Sequence, residues 1–192
     1  NVLKEKIDSN GMKDTIIIDY GAGNVKSIYS ALKFLGYESN VTNKKDDIKS
    51  AKRIILPGVG AFGKAMEQIK NLELFDILRD HCSLDKPFLG ICLGMQMMFK
   101  CSEEFGTHDG LNLINGRVEK LPEKQTDKEN FRIPNIGWYR IENKNNKDLN
   151  INFTENLFYH VHSYHCIPED KKNILFTIMF NKQEIVVGLK KN

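Results

Sequence analysis

The segment Gly90-Ile91-Cys92-Leu93-Gly94 constrains the fold of this chain more than any other. An apolar run ends in a cysteine that lies between two glycines, and a helix-forming run comes next. This pattern is typical of a nucleophile elbow, a sharp turn between a strand and a helix that lifts one side chain above the end of a sheet. The glycines leave room for neighbouring backbone, which a Cβ atom would obstruct. The segment therefore predicts an α/β fold with Cys92 as its nucleophile.

The elbow also predicts how Cys92 is activated. A helix N-terminus carries partial positive charge and free N–H groups, which favour a thiolate over a thiol. The N–H of Leu93, the next residue, would point to where an oxyanion develops. The alternative is a buried cysteine in a core strand, since free cysteine is among the most buried residue types. The symmetric spacing of the two glycines favours the nucleophile.

Size and composition predict an ordinary globular domain that binds neither nucleic acid nor membrane. The chain has 192 residues, of which 41% are hydrophobic and 28% are charged, and this is usual for a domain with a full core. The net charge of +3 is small, and the lysines alternate with acidic residues, so no nucleic-acid surface is indicated. No apolar run approaches the ~18 residues of a membrane span.

Residues 1–11 are polar, whereas Met12 begins a segment that leads into an apolar strand. We therefore expect residues 1–11 to be a disordered extension and residues 12–192 to form a single domain. The extension has no apolar centre of the kind found in secretory signals. The four cysteines (Cys82, Cys92, Cys101 and Cys166) form no C-x-x-C pair. Together these features indicate reduced thiols and a cytoplasmic protein.

Hydrophobic periodicity predicts alternating strands and helices in the first half of the chain. Strands are expected at residues 15–20, 37–42, 53–56 and 88–91, and helices at 25–35, 62–70, 72–82 and from the elbow to about residue 100. Such alternation is typical of a flavodoxin-like, doubly wound, mostly parallel sheet with helices on both faces. Ligands bind such sheets at the carboxyl ends of the strands, where loops 21–24, 57–63 and 90–94 would converge.

After Gly106 the pattern changes to strand-like segments without a clear helix between them. These segments are residues 116–121, 136–141, 157–164, 174–180 and 184–189. Residues 119–130 and 142–150 are polar and predict surface loops. We expect additional antiparallel strands that belong to the same domain.

The loop at residues 57–63 is the natural second part of an oxyanion hole. It has three glycines within six residues at the end of a predicted core strand, so its backbone N–H groups can approach a ligand. One such donor contributes roughly 3–4 kcal/mol of transition-state stabilisation. The alternative is an ordinary glycine-rich turn.

Two other patterns are candidates for a cofactor or a metal site, and neither fits one. We therefore expect no cofactor and no metal. Gly21-Ala22-Gly23-Asn24 comes after the first strand but lacks the third glycine of a dinucleotide-binding loop. The histidines His160, His162 and His165 with Cys166 fit no standard zinc spacing. Strand packing and hydrogen bonding explain these histidines better.

Six segments together resemble one family. They are residues 18–24, 56–62, 89–96, 102–104, 137–138 and 161–164. Their combination is similar to the glutaminase subunit of imidazole glycerol phosphate synthase, a triad-type, class I glutamine amidotransferase of histidine biosynthesis. The resemblance runs from about Met12 to the end. It is specific, because sibling amidotransferases share the elbow but not Pro-Gly-Val-Gly-Ala-Phe.

This resemblance implies a role for each matching residue. Cys92 would attack the side-chain amide of L-glutamine and form a thioester, which releases ammonia. The oxyanion would be stabilised by the Val59–Gly60 peptide and the N–H of Leu93. The residues that would hold the substrate are Gly58, Gln96, Glu104, Ser163 and Tyr164.

The resemblance also implies a partner and no cofactor. Asn24 and Trp138 match segments that face a (β/α)₈-barrel cyclase subunit in a heterodimer. Ammonia would pass to that subunit for formation of imidazole glycerol phosphate and AICAR. Asn135 stands where the family usually has histidine, near the partner. Related paralogues instead supply ammonia for the amidination of surface sugars.

The family's catalytic histidine and glutamate lie in a C-terminal His-Pro-Glu that this chain does not contain. Ile167-Pro168-Glu169 lacks the histidine, and the histidines at 160, 162 and 165 match no catalytic position. We expect a C-terminally truncated domain with little or no turnover. One alternative is a non-catalytic, partner-binding subunit. Another is an unrelated hydrolase, but it would need an acid and a later histidine, and no convincing pair is found.

Overall fold

The computed structural model describes residues 14–122, 133–144 and 156–191. The predicted extension at residues 1–11 lies outside the described residues, as does Met12. The first half of the chain contains β1 (Thr15–Ile18), α1 (Val25–Phe34), β2 (Ser39–Thr42), α2 (Lys45–Ser50), β3 (Arg53–Gly58), α3 (Phe62–Asn71), α4 (Phe75–Ser83), β4 (Phe88–Cys92) and α5 (Leu93–Met97). The second half contains β5 (Phe99–Ser102), β6 (His108–Asp109), β7 (Ile114–Lys120), β8 (Asn135–Arg140), β9 (Glu142–Asn143), β10 (Leu157–His162), β11 (Tyr164–Pro168), a 3₁₀ turn (Lys171–Asn173), β12 (Ile174–Phe180) and β13 (Gln183–Leu189).

A parallel sheet forms the centre of the first half. Its strand order is β2-β1-β3-β4, and each pair is parallel. β1 consists of β-branched residues that are buried along its whole length, as expected for a strand covered on both faces. The prediction of a doubly wound α/β fold is therefore confirmed. The parallel register brings Gly58, at the end of β3, beside Cys92, at the end of β4.

Some elements of the structure differ from those expected. The sequence did not predict α2, which packs against α4 and buries Ile48. The helix expected to reach residue 100 ends at Met97, and β5 begins at Phe99. Phe99 is fully buried and pairs with Ile114 of β7. Strand pairing with a distant segment thus overrides the local helical pattern, which no single-sequence window could show.

The strand expected at residues 157–164 is in fact two strands. Ser163 separates β10, which pairs with β8, from β11, which pairs with β7. The Ser163 carbonyl oxygen accepts a hydrogen bond from the Leu121 N–H at 2.8 Å. The predicted loop at 142–150 begins with the short strand β9, which pairs with β12, while residues 145–150 lie outside the described residues.

The second half adds mostly antiparallel strands, as predicted. A second sheet has the order β11-β7-β5-β6, and two smaller sheets have the orders β10-β8 and β13-β12-β9. Within the described ranges, no helix is both long and apolar enough to cross a membrane. The main hydrophobic core joins the parallel sheet to β5, β7 and β11, so the second half holds its strands against the carboxyl end of β4.

Candidate active site

The turn from β4 to α5 places Cys92 in a rare backbone conformation. Its φ is 56° and its ψ is −117°, a region that costs a non-glycine residue roughly 1–3 kcal/mol. Such residues concentrate at functional sites, where the surrounding structure holds them in place. Cys92 as a residue is exposed, and it lies at the carboxyl end of β4. The predicted nucleophile elbow is confirmed as a backbone feature.

The two glycines of the elbow are required by close packing. A Cβ atom on Gly94 would overlap the carbonyl oxygen of Leu56, and one on Gly90 would lie 2.7 Å from the Cα atom of Met95. Both obstacles are backbone atoms, which cannot move aside as a flexible side chain could. The glycines therefore allow β3, β4 and α5 to approach one another. This close packing fixes the position of Cys92.

The thiol of Cys92 is not activated by the turn alone. Burial of the sulfur raises the pKa of the Cys92 thiol above its ordinary value, although the backbone N–H of Leu93 acts in the opposite direction. The residue is nevertheless exposed as a whole. The Leu93 N–H at the start of α5 favours the thiolate as predicted, but desolvation is the larger effect and the pKa of the thiol rises on balance.

The loop at residues 57–63 lies directly against the elbow. A Cβ atom on Gly58 would be 2.7 Å from the backbone nitrogen of Gly94. Tyr20 supports the loop from below, since its buried hydroxyl donates a hydrogen bond to the Pro57 carbonyl at 2.9 Å. Val59 is exposed, and Gly60 has a φ of 94°. The structure therefore brings Gly58, which directly precedes the predicted oxyanion residues Val59 and Gly60, beside Cys92.

The loop at residues 21–24 meets the same edge. A Cβ atom on Gly23 would lie 3.3 Å from the Cβ atom of Pro57. The three loops expected at the carboxyl ends of the strands thus converge as predicted. Asn24 caps α1 there, because its side-chain oxygen accepts a hydrogen bond from the Ser27 N–H at 3.2 Å.

A cavity of about 470 Å³ opens beside Cys92 and contains two of the predicted substrate residues. Gln96 lies one helical turn after the nucleophile, and its Nε2 donates a hydrogen bond to the Tyr164 carbonyl oxygen at 3.2 Å. The hydrophobic walls come from β4, β10 and β13. Gln96 and Tyr164 therefore supply polar groups to a cavity that is lined in part by hydrophobic side chains.

The structure places Ser163 and Glu104 outside the lining of this cavity. Ser163 occupies the break between β10 and β11. Glu104 follows β5, and its Oε2 accepts a hydrogen bond from the N–H of Phe62, the first residue of α3, at 2.6 Å. It lines a second cavity of about 590 Å³ that also includes His108 and Lys64. One carboxylate oxygen of Glu104 is thus used to cap a helix that has no other side-chain cap.

Three histidines line the Cys92 cavity, which the sequence did not indicate. They are His160, His162 and His165. Burial lowers the pKa of each below the ordinary value for histidine, so each ring is neutral at neutral pH. No hydrogen bond joins any of these rings to Cys92 in the part of the chain that the structure describes.

His162 forms two hydrogen bonds within this group. Its Nδ1 lies 3.0 Å from the Tyr164 carbonyl oxygen, and its Nε2 lies 3.1 Å from Nδ2 of Asn135. The alternation along β10 puts His160 and His162 on one face, and this was the available signal for their proximity. Across residues 14–122, 133–144 and 156–191, no three His, Cys, Asp or Glu side chains cluster closely enough to hold a metal ion.

The ribbon of β8 and β10 carries an exposed apolar face. Trp138 is 65% exposed and lies beside Tyr159, with 5.4 Å between the two ring centroids. Ile136 and Val161 are paired in the register and exposed on the same face. Contiguous apolar surface of this kind indicates a protein contact, which agrees with the predicted partner role of Trp138.

Comparison with known proteins relates this chain to glutamine amidotransferases. Residues 16–192 match the family model described as "Glutamine amidotransferase class-I". The chain is 40% identical to imidazole glycerol phosphate synthase subunit HisH of Chlorobium chlorochromatii over 177 residues, which is 92% of this chain and 86% of that protein. It is 41% identical to the HisH subunit of Aquifex aeolicus, over 84% of this chain and 76% of that protein.

Solved structures support the fold. A protein described as "Crystal structure of glutamine amidotransferase" superposes with a TM-score of 0.61 at 16% identity, over 88% of this chain and 82% of that one. The PurLQS structure from Thermotoga maritima gives a TM-score of 0.59 at 17% identity, over 88% of this chain and 76% of that one.

Proposed function

Because this chain belongs to the class I glutamine amidotransferase family and, within it, to the HisH subunits of imidazole glycerol phosphate synthase, we propose that Cys92 is the nucleophile that hydrolyses glutamine. The observation that carries the proposal is the strained backbone of Cys92 at the end of β4. The chain is a glutamine-hydrolysing enzyme subunit of histidine biosynthesis.

The Cys92 sulfur attacks the carboxamide carbon of glutamine and forms a tetrahedral oxyanion. The N–H of Leu93 and the Val59–Gly60 peptide stabilise this charge from the loop beside the nucleophile. The proton lost by the thiol passes to the amide nitrogen, collapse of the intermediate breaks the C–N bond so that ammonia leaves, and a thioester remains. Water then attacks the thioester carbonyl, which releases glutamate and restores the thiol. None of the described histidines hydrogen-bonds to Cys92, so no general base is assigned among them.

The substrate is held by residues from several elements. Gly58 and Gln96 approach it from the elbow side, and the segment Ser163–Tyr164 approaches from the start of β11. Glu104 supplies the negative charge that suits the α-ammonium group, through the carboxylate oxygen not used by Phe62. Gln96 and Tyr164 are supported by their place in the lining of the Cys92 cavity. Ser163 and Glu104 lie outside that lining, and their support is the match to the family.

The ammonia passes to a (β/α)₈-barrel cyclase subunit, which uses it to form imidazole glycerol phosphate and AICAR. Trp138 and Asn24 face that partner. The support is the exposed apolar face of the β8–β10 ribbon and the position of Asn24 at the carboxyl edge of the sheet.

A glutaminase assay tests the proposal. The native full-length protein is assayed for ammonia release from glutamine, alone and with the cyclase subunit, beside Cys92→Ala and Cys92→Ser. We expect slow hydrolysis alone, stimulation by the cyclase and loss of activity in both variants. Full activity in Cys92→Ala would disprove the mechanism. A cyclase complex without Cys92-dependent hydrolysis would favour a non-catalytic binding subunit, and stimulation only by a sugar-amidinating partner would favour the paralogue.

A further inference from the structure

The carbonyl oxygen of Tyr164 accepts hydrogen bonds from two side chains on different elements. Nδ1 of His162 lies 3.0 Å from it, and Nε2 of Gln96 lies 3.2 Å from it. A carbonyl oxygen has two lone pairs, so these two donors fill its acceptor capacity. The oxygen therefore links β10, where His162 lies, to the helix that begins after the nucleophile.

This arrangement determines the tautomer of His162. A carbonyl oxygen can only accept, so the ring proton is on Nδ1. In the neutral ring Nε2 is then an acceptor, and Nδ2 of Asn135 donates to it across 3.1 Å. The positions of the ring proton and of the Asn135 amide are thus set by this network. Burial lowers the pKa of His162, which is consistent with a neutral ring.

The hydrogen-bond network runs from the exposed β8–β10 ribbon to the cavity beside Cys92. Asn135 is 1% exposed and is the first residue of β8, the strand that carries Trp138. At the other end, Gln96 lines the cavity beside Cys92. If His162 did not donate to Tyr164, Gln96 would be the remaining side-chain donor to that carbonyl. The carbonyl could then shift, and the Gln96 amide could rotate away from its present orientation.

We propose that His162 is a positioning residue for glutamine hydrolysis, which fixes the Tyr164 carbonyl and through it the Gln96 amide. This rests on the proposed function, since it takes Gln96 to contact glutamine. His162 lines the cavity, but both of its hydrogen bonds go to Asn135 and Tyr164. If Gln96 contacts glutamine equally in the ground state and in the transition state, a misoriented Gln96 amide raises KM and leaves kcat nearly unchanged.

Two substitutions at one position separate the two hydrogen bonds of His162. An asparagine side chain puts its amide nitrogen near the position of Nδ1, so His162→Asn keeps the donor to Tyr164. A glutamine side chain puts its amide group near the position of Nε2, so His162→Gln keeps the contact with Asn135 and loses the donor to Tyr164. The two variants are matched in polarity, and both are assayed in the complex of the native protein with the cyclase.

We expect His162→Gln to raise KM for glutamine by about three- to tenfold, the effect of one hydrogen bond. Its kcat stays within about twofold, and His162→Asn returns KM most of the way to the wild-type value. Equal KM values in the two variants, no change in either, or an effect on kcat alone would overturn the proposal. Absence of Cys92-dependent hydrolysis in the wild type would instead overturn the proposed function, and with it this inference.

The tautomer gives a second measurement that does not depend on a folded variant. A long-range ¹H–¹⁵N spectrum of the wild-type protein reports which ring nitrogen of His162 carries the proton. Protonation at Nδ1 supports the network, and protonation at Nε2 overturns it. This measurement uses only the wild-type protein, so it applies even if both variants fail to fold.

Discussion

Gly94 of α5 packs so closely against Leu56 of β3 that a Cβ atom on Gly94 would overlap the Leu56 carbonyl oxygen. This contact sets the angle between the strand and the helix at the elbow. It also means that the position of Cys92 depends on a residue that has no chemistry of its own.

We expect Gly94→Ala to destabilise the protein by about 1–3 kcal/mol, because overpacking against backbone cannot relax through a rotamer change. Glutaminase activity should fall with it, since the elbow must open. Thermal unfolding and ammonia release measure the two effects. Gly137→Ala is the matched control, because its Cβ atom would be 3.4 Å from the Tyr139 ring, an ordinary contact. Equal stability of the two variants would contradict the packing argument.

The raised pKa of the Cys92 thiol predicts a pH profile for its alkylation. Only the thiolate reacts, and a higher pKa means less thiolate at any given pH. We therefore expect the rate of iodoacetamide labelling in the isolated glutaminase subunit to rise with pH, with a midpoint above the ~8.5 of a free cysteine. Mass spectrometry of the labelled peptide measures it, and Cys92→Ser is the control. A midpoint below that of a model peptide would show an activating group that burial does not reveal.

The two oxygens of the Glu104 carboxylate allow its two roles to be separated. We expect Glu104→Gln to raise KM for glutamine by roughly tenfold, because the charge opposite the α-ammonium group is lost. Stability should change little, since the amide oxygen can still accept from Phe62. Kinetics and thermal unfolding measure these effects, and Glu103→Gln, an exposed neighbour, is the control. An unchanged KM together with a lower melting temperature would leave Glu104 as a helix cap only.

The exposed Trp138 predicts a binding defect without a folding defect. We expect Trp138→Ala to weaken binding of the cyclase subunit by about 2 kcal/mol, or roughly 30-fold in Kd, as is typical of a central tryptophan in an interface. Isothermal titration calorimetry measures it. Phe34→Ala is the control, because Phe34 is 90% exposed at the far end of α1. If both variants bind like the wild type, the ribbon face is not the interface.

The parallel sheet and the elbow could be predicted from the sequence because their signals are local. Apolar runs that end in glycine turns identify β1, β3 and β4. The two glycines around Cys92 indicate a tight turn, because glycine is needed there only where neighbouring backbone packs very closely. The end of α5 could not be predicted in this way. Phe99 leaves the helical pattern to pair with Ile114, and that preference lies in a segment far along the chain.

The sequence by itself determined the turn that carries the proposed nucleophile Cys92, the loop that lies beside it and the class of fold, since each depends on residues that are adjacent in the chain. Only the tertiary structure decided the surroundings of Cys92. Burial raises the pKa of its thiol, Glu104 also caps α3, and Asn135, His162 and Tyr164 form one network with Gln96. Desolvation and hydrogen bonding depend on which distant segments meet, and a linear pattern does not contain that information.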